Sequence, residues 1–164
     1  MPFQIEIRPY GDDDVVRMVG EVQDEYVLLY GTPDNAALEP GEFEPPGGLF
    51  LVGLLDGEPV ATGGWRRRAD VGRPPAAEIK RMYVSARARR RGLAKLVLAE
   101  IERTATAAGI ERLVLNTGTE QPEAIDLYRS CGYEPIPAFG YYADYCDAVF
   151  LGKRLSMRGS VSRG

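Results

Sequence analysis

The residues best placed for chemistry lie in one stretch, EIKRMYVSARARRRGLAKLVLAEIERTATAA, which runs from Glu78 to Ala108. Alternation from Ala77 to Val84 predicts a strand. Arg87 to Gly92 break that pattern, and Leu93, Leu96, Val97, Ile101 and Ala105 then recur at helical spacing. A glycine loop that opens directly into a helix presents N–H groups without intrahelical partners at the positive end of the helix dipole. That is a setting for phosphate, and Arg87, Arg89, Arg90 and Arg91 add charge of the matching sign. A plain strand-to-helix turn with a solvated arginine cluster accounts for the same residues.

What the chain lacks narrows the chemistry. Among 164 residues there is no histidine, which removes Ser-His-Asp and Cys-His nucleophilic designs together with the commonest metal ligand. Proton transfer is left to carboxylates, tyrosine, lysine, cysteine and water. Cys131 and Cys146 are read as free thiols, with neither a disulfide framework nor a zinc site, and no metal is expected. The net charge of −4 argues against a nucleic-acid partner, while a basic patch on an acidic chain suits a small polyanion. No apolar run approaches the roughly 18 residues that span a membrane, and MPFQIEIRPY does not read as a secretory signal, so a cytoplasmic protein without a membrane partner is expected. The composition leaves room for a homodimer.

The elements around this stretch follow from periodicity. Phe3 to Ile7 alternates as a strand, and Asp12 to Asp14 supply capping acids for an amphipathic helix that ends near Gly31. From Pro33 to Gly48 the chain is rich in Pro, Gly and acids. It is read as a surface loop, with room for a short helix around Asp34 to Leu38 and for a role over a cleft. Leu49 to Leu55 and Pro59 to Arg68, split by Asp56-Gly57, predict an antiparallel hairpin, with Trp65 in a packing role. Leu113 to Leu115 form a short strand, Pro122 opens a helix that Gly132 stops, and Tyr133 to Pro137 and Ala148 to Leu155 close the sheet. The expected domain covers residues 3–155, and a polar tail covers 156–164.

The spacing Arg89-x-x-Gly92-x-Ala94 resembles the R/Q-x-x-G-x-G/A signature of the GCN5-related N-acetyltransferases, the GNAT family. A second segment agrees with it. Asn116, followed by QPEAIDLYRSCGY, resembles the family's A-x-x-L-Y-x-x-x-G-Y region through Ala124, Leu127, Tyr128, Gly132 and Tyr133. The resemblance implies an α/β (α+β) fold of one domain, in which helices flank a mixed, mostly antiparallel sheet of six or seven strands. It further implies that acetyl-coenzyme A is the acetyl donor, with its pyrophosphate on the amides of Arg89, Arg90, Arg91, Gly92, Leu93 and Ala94. The pantetheine arm would run along Met82, Tyr83 and Val84, and Asn116 would also touch the cofactor.

Amine acetylation by a thioester needs a neutral amine, a polarised carbonyl and a proton for the departing thiolate. Glu78 stands where several family members carry a catalytic glutamate, which makes it the candidate base, directly or through water; a structural ion pair with Lys80 or an arginine is the competing role. Tyr128 is the candidate acid by resemblance, and a packed tyrosine with a bonded hydroxyl is its competing role. The acceptor is a small-molecule or peptide amine, and the aromatic, acidic connection Phe139 to Asp147 is a candidate wall for it. A non-catalytic acyl-coenzyme A sensor and a phosphate- or nucleic-acid-binding module are the competing classes.

Overall fold

Asp12 starts the first helix by accepting from the amides of Asp14 and Val15, and Gly31 ends it at φ 80°, a left-handed stop that glycine adopts without a Cβ penalty. This helix, α1 (Asp13–Tyr30), follows an edge strand β1 (Phe3–Ile7) and buries Val15, Met18 and Val22 on one face. The computed structural model describes residues 2–71 and 75–156. Next come β2 (Gly48–Leu55) and β3 (Glu58–Arg68), joined through Asp56 and Gly57 at φ 51° and 82°. Two successive positive φ values suit the tight turn whose twist matches that of paired strands.

The chain continues with β4 (Ala76–Val84), α2 (Leu93–Ala107), β5 (Arg112–Gly118), α3 (Pro122–Ser130), β6 (Glu134–Pro135) and β7 (Ala148–Arg154). All seven strands share one sheet in the order β1-β2-β3-β4-β5-β7-β6, and β4–β5 is its parallel pair. Among the described residues three buried apolar clusters pack the sheet, one of them formed by Val71, Ala76, Val114, Phe139 and Phe150, and the other two lie on opposite faces. On one, Leu93, Val97, Leu98, Ile101 and Ala105 of α2 pack with Leu51, Ile79, Leu113, Leu115, Tyr128 and Leu151. On the other, Val15 packs with Phe43, Phe50, Val52 and Leu54. Trp65 belongs to the first core, where its Nε1 donates to Thr104 Oγ1 at 3.1 Å. Leu96, on the helical period by sequence, is exposed instead.

Several expectations need correction. No helix forms around Asp34 to Leu38; a 3-10 turn occupies Pro40–Phe43 instead, with Glu39 and Glu42 bonded reciprocally as a capping box. β5 extends past Leu115 because Asn116, Thr117 and Gly118 remain paired with Phe150, Val149 and Ala148. The closing segment Tyr133 to Pro137 shortens to two strand residues, since Pro135 and Pro137 have no N–H to give a ladder. Part of the Asp70 to Pro75 loop, and the tail beyond Ser156, lie outside the described residues. Among the described residues no helix is long and apolar enough to cross a membrane.

Candidate active site

β4 and β5 pair over only three positions, Ala76 to Glu78 against Arg112 to Val114. Beyond them the strands part, β4 continuing to Val84 and β5 to Gly118, so that a wedge opens in the middle of the sheet. A bulge lies at the same place. Thr62 pairs with Tyr83 but Gly64 pairs with Lys80, and Arg81 takes up the extra residue at φ 60° while Thr62 Oγ1 donates to its carbonyl at 2.8 Å. Such a bulge bends the strand and leaves backbone groups out of the ladder. The edge of β4 from Met82 to Val84 therefore faces the wedge without a strand partner.

The glycine loop stands at one end of this wedge. Arg90 and Gly92 both have positive φ, 67° and 76°, and Gly92 caps α2 with no side-chain hydrogen bond and no acid in the first turn. An anion there would meet uncapped N–H groups at a helix N-terminus. Arg90, Arg91 and Gly92 are exposed, Ala94 is half-buried, and buried Leu93 anchors the loop to the core. Arg89 turns back: its Nε donates to Val84 O at 2.8 Å and its Nη2 to Glu25 Oε1 at 2.7 Å, with the guanidinium over the Tyr83 ring.

At the other end lies a cleft of about 370 Å³, lined by Ala36, Ala37 and Glu42, by Arg66, Arg68, Asp70, Glu78 and Asn116, and by Phe139 to Tyr142. Arg66 pairs across the strands with Glu78, which puts both on the face of α1, opposite Trp65 and Ile79. Glu78 is only 2% exposed. Its Oε1 accepts from Arg66 Nε and Nη2 at 3.2 and 3.1 Å and from Arg68 Nη1. Its Oε2 enters no hydrogen bond among the described residues, although Glu78 lines the cleft. The ion pairing that competes with the base role of Glu78 is thus present, with Arg66 and Arg68 as the partners.

The Pro33 to Gly48 loop does more than cover a surface. Asp34 Oδ2 accepts from Lys80 Nζ and Arg81 Nη1, each at 2.8 Å, and its Oδ1 accepts from Tyr142 Oη at 2.8 Å. The amide of Asn35 donates back to Tyr142 Oη at 2.8 Å, so the two loops that wall the cleft are tied together over β4. Burial alone would raise the Asp34 carboxyl, but Lys80, the Ala36 amide and Arg81 outweigh it and bring it down to about 2. Nothing in the local sequence marks Asp34 or Tyr142, because their partners are remote in the chain.

Tyr128 is on the other face, in the α2 and α3 core, edge-on to Tyr133 with ring centroids 5.5 Å apart. Its hydroxyl makes no hydrogen bond among the described residues. Burial, with Tyr26 and Cys131 adding to it, pushes the phenol far up, so it stays protonated at any physiological pH and is available as a donor. Asn116 stands apart from the glycine loop and lines the cleft with Glu78. The structure thus separates the sequence-derived residues into Met82 to Val84 and Arg89 to Ala94 at one end, Glu78 and Asn116 at the other, and Tyr128 on the α3 side. Cys131 is half-buried and Cys146 exposed, both as thiols. Among the described residues no group of three or more His, Cys, Asp or Glu is arranged to hold a metal ion.

Comparison with known proteins agrees with this architecture. Residues 15–133 match the model of the Acetyltransferase (GNAT) family. An IAA acetyltransferase of Azospirillum brasilense is 32% identical over 143 residues, 87% of this chain and 92% of that protein. The structure of a proposed acyl-CoA N-acyltransferase of Klebsiella pneumoniae superposes with a TM-score of 0.76 at 26% identity, over 94% of this chain and 98% of that one. A GNAT family acetyltransferase of Elizabethkingia anophelis, solved with acetyl-CoA bound, shares the fold at a TM-score of 0.66 and 15% identity, over 93% and 98% of the two chains. With the parted strands, the uncapped loop and the family match in agreement, the chain belongs to the GNAT acetyltransferases, N-acetyltransferases whose donor is acetyl-CoA.

Proposed function

We propose that residues 3–155 form a catalytic unit in which acetyl-CoA lies along the wedge and an amine in the cleft attacks it directly, without a covalent enzyme intermediate or a metal. The observation that carries this reading is the wedge itself, open between β4 and β5, with an uncapped helix N-terminus at one end and a polar cleft at the other. The amides of Arg90 to Ala94 hold the pyrophosphate, and the free edge of Met82 to Val84 holds the pantetheine arm. Acetyl-CoA supplies an acyl carbon activated by its thioester.

Glu78 receives a proton from the acceptor ammonium through Oε2, directly or by way of water, which leaves a nitrogen lone pair able to form the new C–N bond. A backbone N–H of β4 supports the charge that builds on the carbonyl oxygen. As the C–S bond breaks, Tyr128 gives its proton to the sulfur, the nitrogen releases its second proton to solvent, and the tyrosine is restored from solvent. The products are the N-acetyl amine, coenzyme A and one proton. Asn116 lines the acceptor side and positions the amine. The reading is tested by following thiol release from acetyl-CoA across a panel of amines. Glu78→Gln should bind coenzyme A like the wild type yet lose most activity at low pH, where free amine is scarce. A loss of equal size across the pH range would remove Glu78 from the proton path.

A further inference from the structure

The acceptor cleft contains one arginine whose partner is replaceable. Arg66 is 6% exposed and is held on all sides by Glu78, by Glu42 Oε1 at 2.8 Å and by the carbonyl of Ala37 at 3.0 Å. Arg68, two residues on and on the same face of β3, is bound differently. One edge meets Glu78 through Nη1, and the guanidinium lies 5.6 Å from the centre of the Phe139 ring. The other edge, Nε and Nη2, donates side-on to both oxygens of Asp70 at 2.8 and 2.6 Å. That two-point fork is the geometry by which arginine recognises a carboxylate.

Asp70 is a weak owner of that fork. Its side chain is 56% exposed against 18% for Arg68, and an ion pair with so exposed a partner contributes little in water, so its replacement by another carboxylate costs little. On the inner edge of the same guanidinium sits Glu78, whose Oε2 is the oxygen still open to the cleft. A carboxylate on the outer edge of Arg68 and an ammonium at Glu78 are therefore one arginine width apart. We infer that Arg68 is the carboxylate subsite of the acceptor, and that the acceptor is a small amino carboxylate of the α-amino acid class whose carboxylate displaces Asp70. This rests on reading the cleft as the acceptor site.

The remaining walls agree with a compact zwitterion. Ala36 and Ala37 leave room on one side, and Phe139, Tyr141 and Tyr142 offer an apolar face for a side chain. A polycation fits less well, because Glu42, Glu78 and Asp70 are all already engaged by Arg66 or Arg68. Such a ligand would bring charge of the same sign as the two guanidiniums and break their pairs.

The test compares matched acceptors: phenylalanine, phenylalaninamide and phenethylamine, and the same series built on leucine. Each is assayed for thiol release from acetyl-CoA at a pH where all the amines are largely free. Wild-type enzyme should favour the carboxylate over its amide and over the descarboxy amine by about tenfold or more in kcat/KM, an estimate for one charge-assisted fork. Arg68→Lys, which keeps the charge but not the fork, should erase the preference through KM rather than kcat. Asp70→Asn should enlarge it by lowering KM for the carboxylates. A second readout is the melting temperature with coenzyme A present, titrated with N-acetylphenylalanine against its amide. Protection by the carboxylate alone supports the subsite even if no amine in either series releases thiol, an outcome that would instead remove the acceptor reading of the cleft. A preference for amides or descarboxy amines, or one that survives both substitutions, overturns the proposal.

Discussion

At the α2 end of the wedge the proposed binding surface is made of backbone, namely the free edge of Met82 to Val84 and the uncapped amides that follow Gly92, all within a dozen residues. At the cleft end it is made of side chains brought from afar. Arg66 and Arg68 come from β3, Glu78 from β4, Asp34 and Glu42 from the loop after α1, and Tyr142 from the loop before β7. A backbone site depends on conformation, so few substitutions destroy it and those do so completely. A side-chain site is a set of paired charges, so almost any member can change with a graded effect. On the proposed reading, the first arrangement suits a donor with a constant handle, and the second suits an acceptor recognised by its own charges.

The sharpest way to break this contrast is Gly92→Val. Nothing lies within 4 Å of a Cβ at Gly92, so space is not the issue; φ 76° is, because a β-branched residue there is strained. The variant should lose the rise in melting temperature that coenzyme A gives the wild type. An unchanged rise in a folded protein would mean that the loop's conformation does not bind the donor.

Next in size is Tyr128→Phe. It keeps the ring packed against Tyr133 and removes a hydroxyl that has no partner among the described residues. Turnover should fall by about tenfold to a thousandfold, the range of general-acid contributions, with acetyl-CoA affinity nearly intact. Single-turnover acetyl transfer beside a cofactor titration of the same variant separates the two effects. Wild-type turnover would make Tyr128 a packing residue.

At the cleft end the expected effects are smaller. The Asp34 carboxyl lies at about 2 against an ordinary 3.8, so its charged form is the one the fold stabilises. That contribution is complete above pH ~3.8 and fades as pH falls towards ~2, and it amounts to about 2 kcal/mol at neutrality. Asp34→Asn should lose that much in urea unfolding at pH 7, with the gap from wild type closing across the acidic window. Smallest is Tyr142→Phe, which removes one hydrogen bond to Asp34 and one from Asn35 and should cost about 1 kcal/mol. Its more telling readout is KM for the amine, which should rise while KM for acetyl-CoA stays put if the tie between the two loops shapes only the cleft.

The same contrast decides what could be read from the chain. Strand, glycine loop and α2 are contiguous, so alternation, a break and helical spacing mark them in the sequence. Asp34 lies 46 and 47 residues from Lys80 and Arg81 and 108 from Tyr142, and no local pattern in a loop of acids, glycines and prolines points to such partners. Resemblance points to Glu78 but not to which arginines hold it, because the register that sets Arg66 opposite Glu78 is fixed by the length and path of the β3–β4 connection, which carries no turn signature of its own. The same long-range logic explains β5: its last three residues have little strand character alone and are strand because β7 is there to pair with them.

The three-position joint between β4 and β5 also makes a seam in the fold. β1 to β4 form one ladder from the first part of the chain and β5 to β7 another from the last, and among the described strands they are joined by the short pairing of Ala76 to Glu78 against Arg112 to Val114, which the Pro75 carbonyl extends by accepting from the amides of Glu111 and Arg112. What holds the halves together is therefore chiefly side-chain packing under α2 and α3, where Val97, Leu113, Tyr128 and Leu151 share a core. Parts of a fold open with different free energies, so native-state amide exchange read on either side of so short a joint shows whether the two halves open together. A ligand that pairs along the free edge of β4 would act as a splint across that seam, slowing exchange on both sides of it at once.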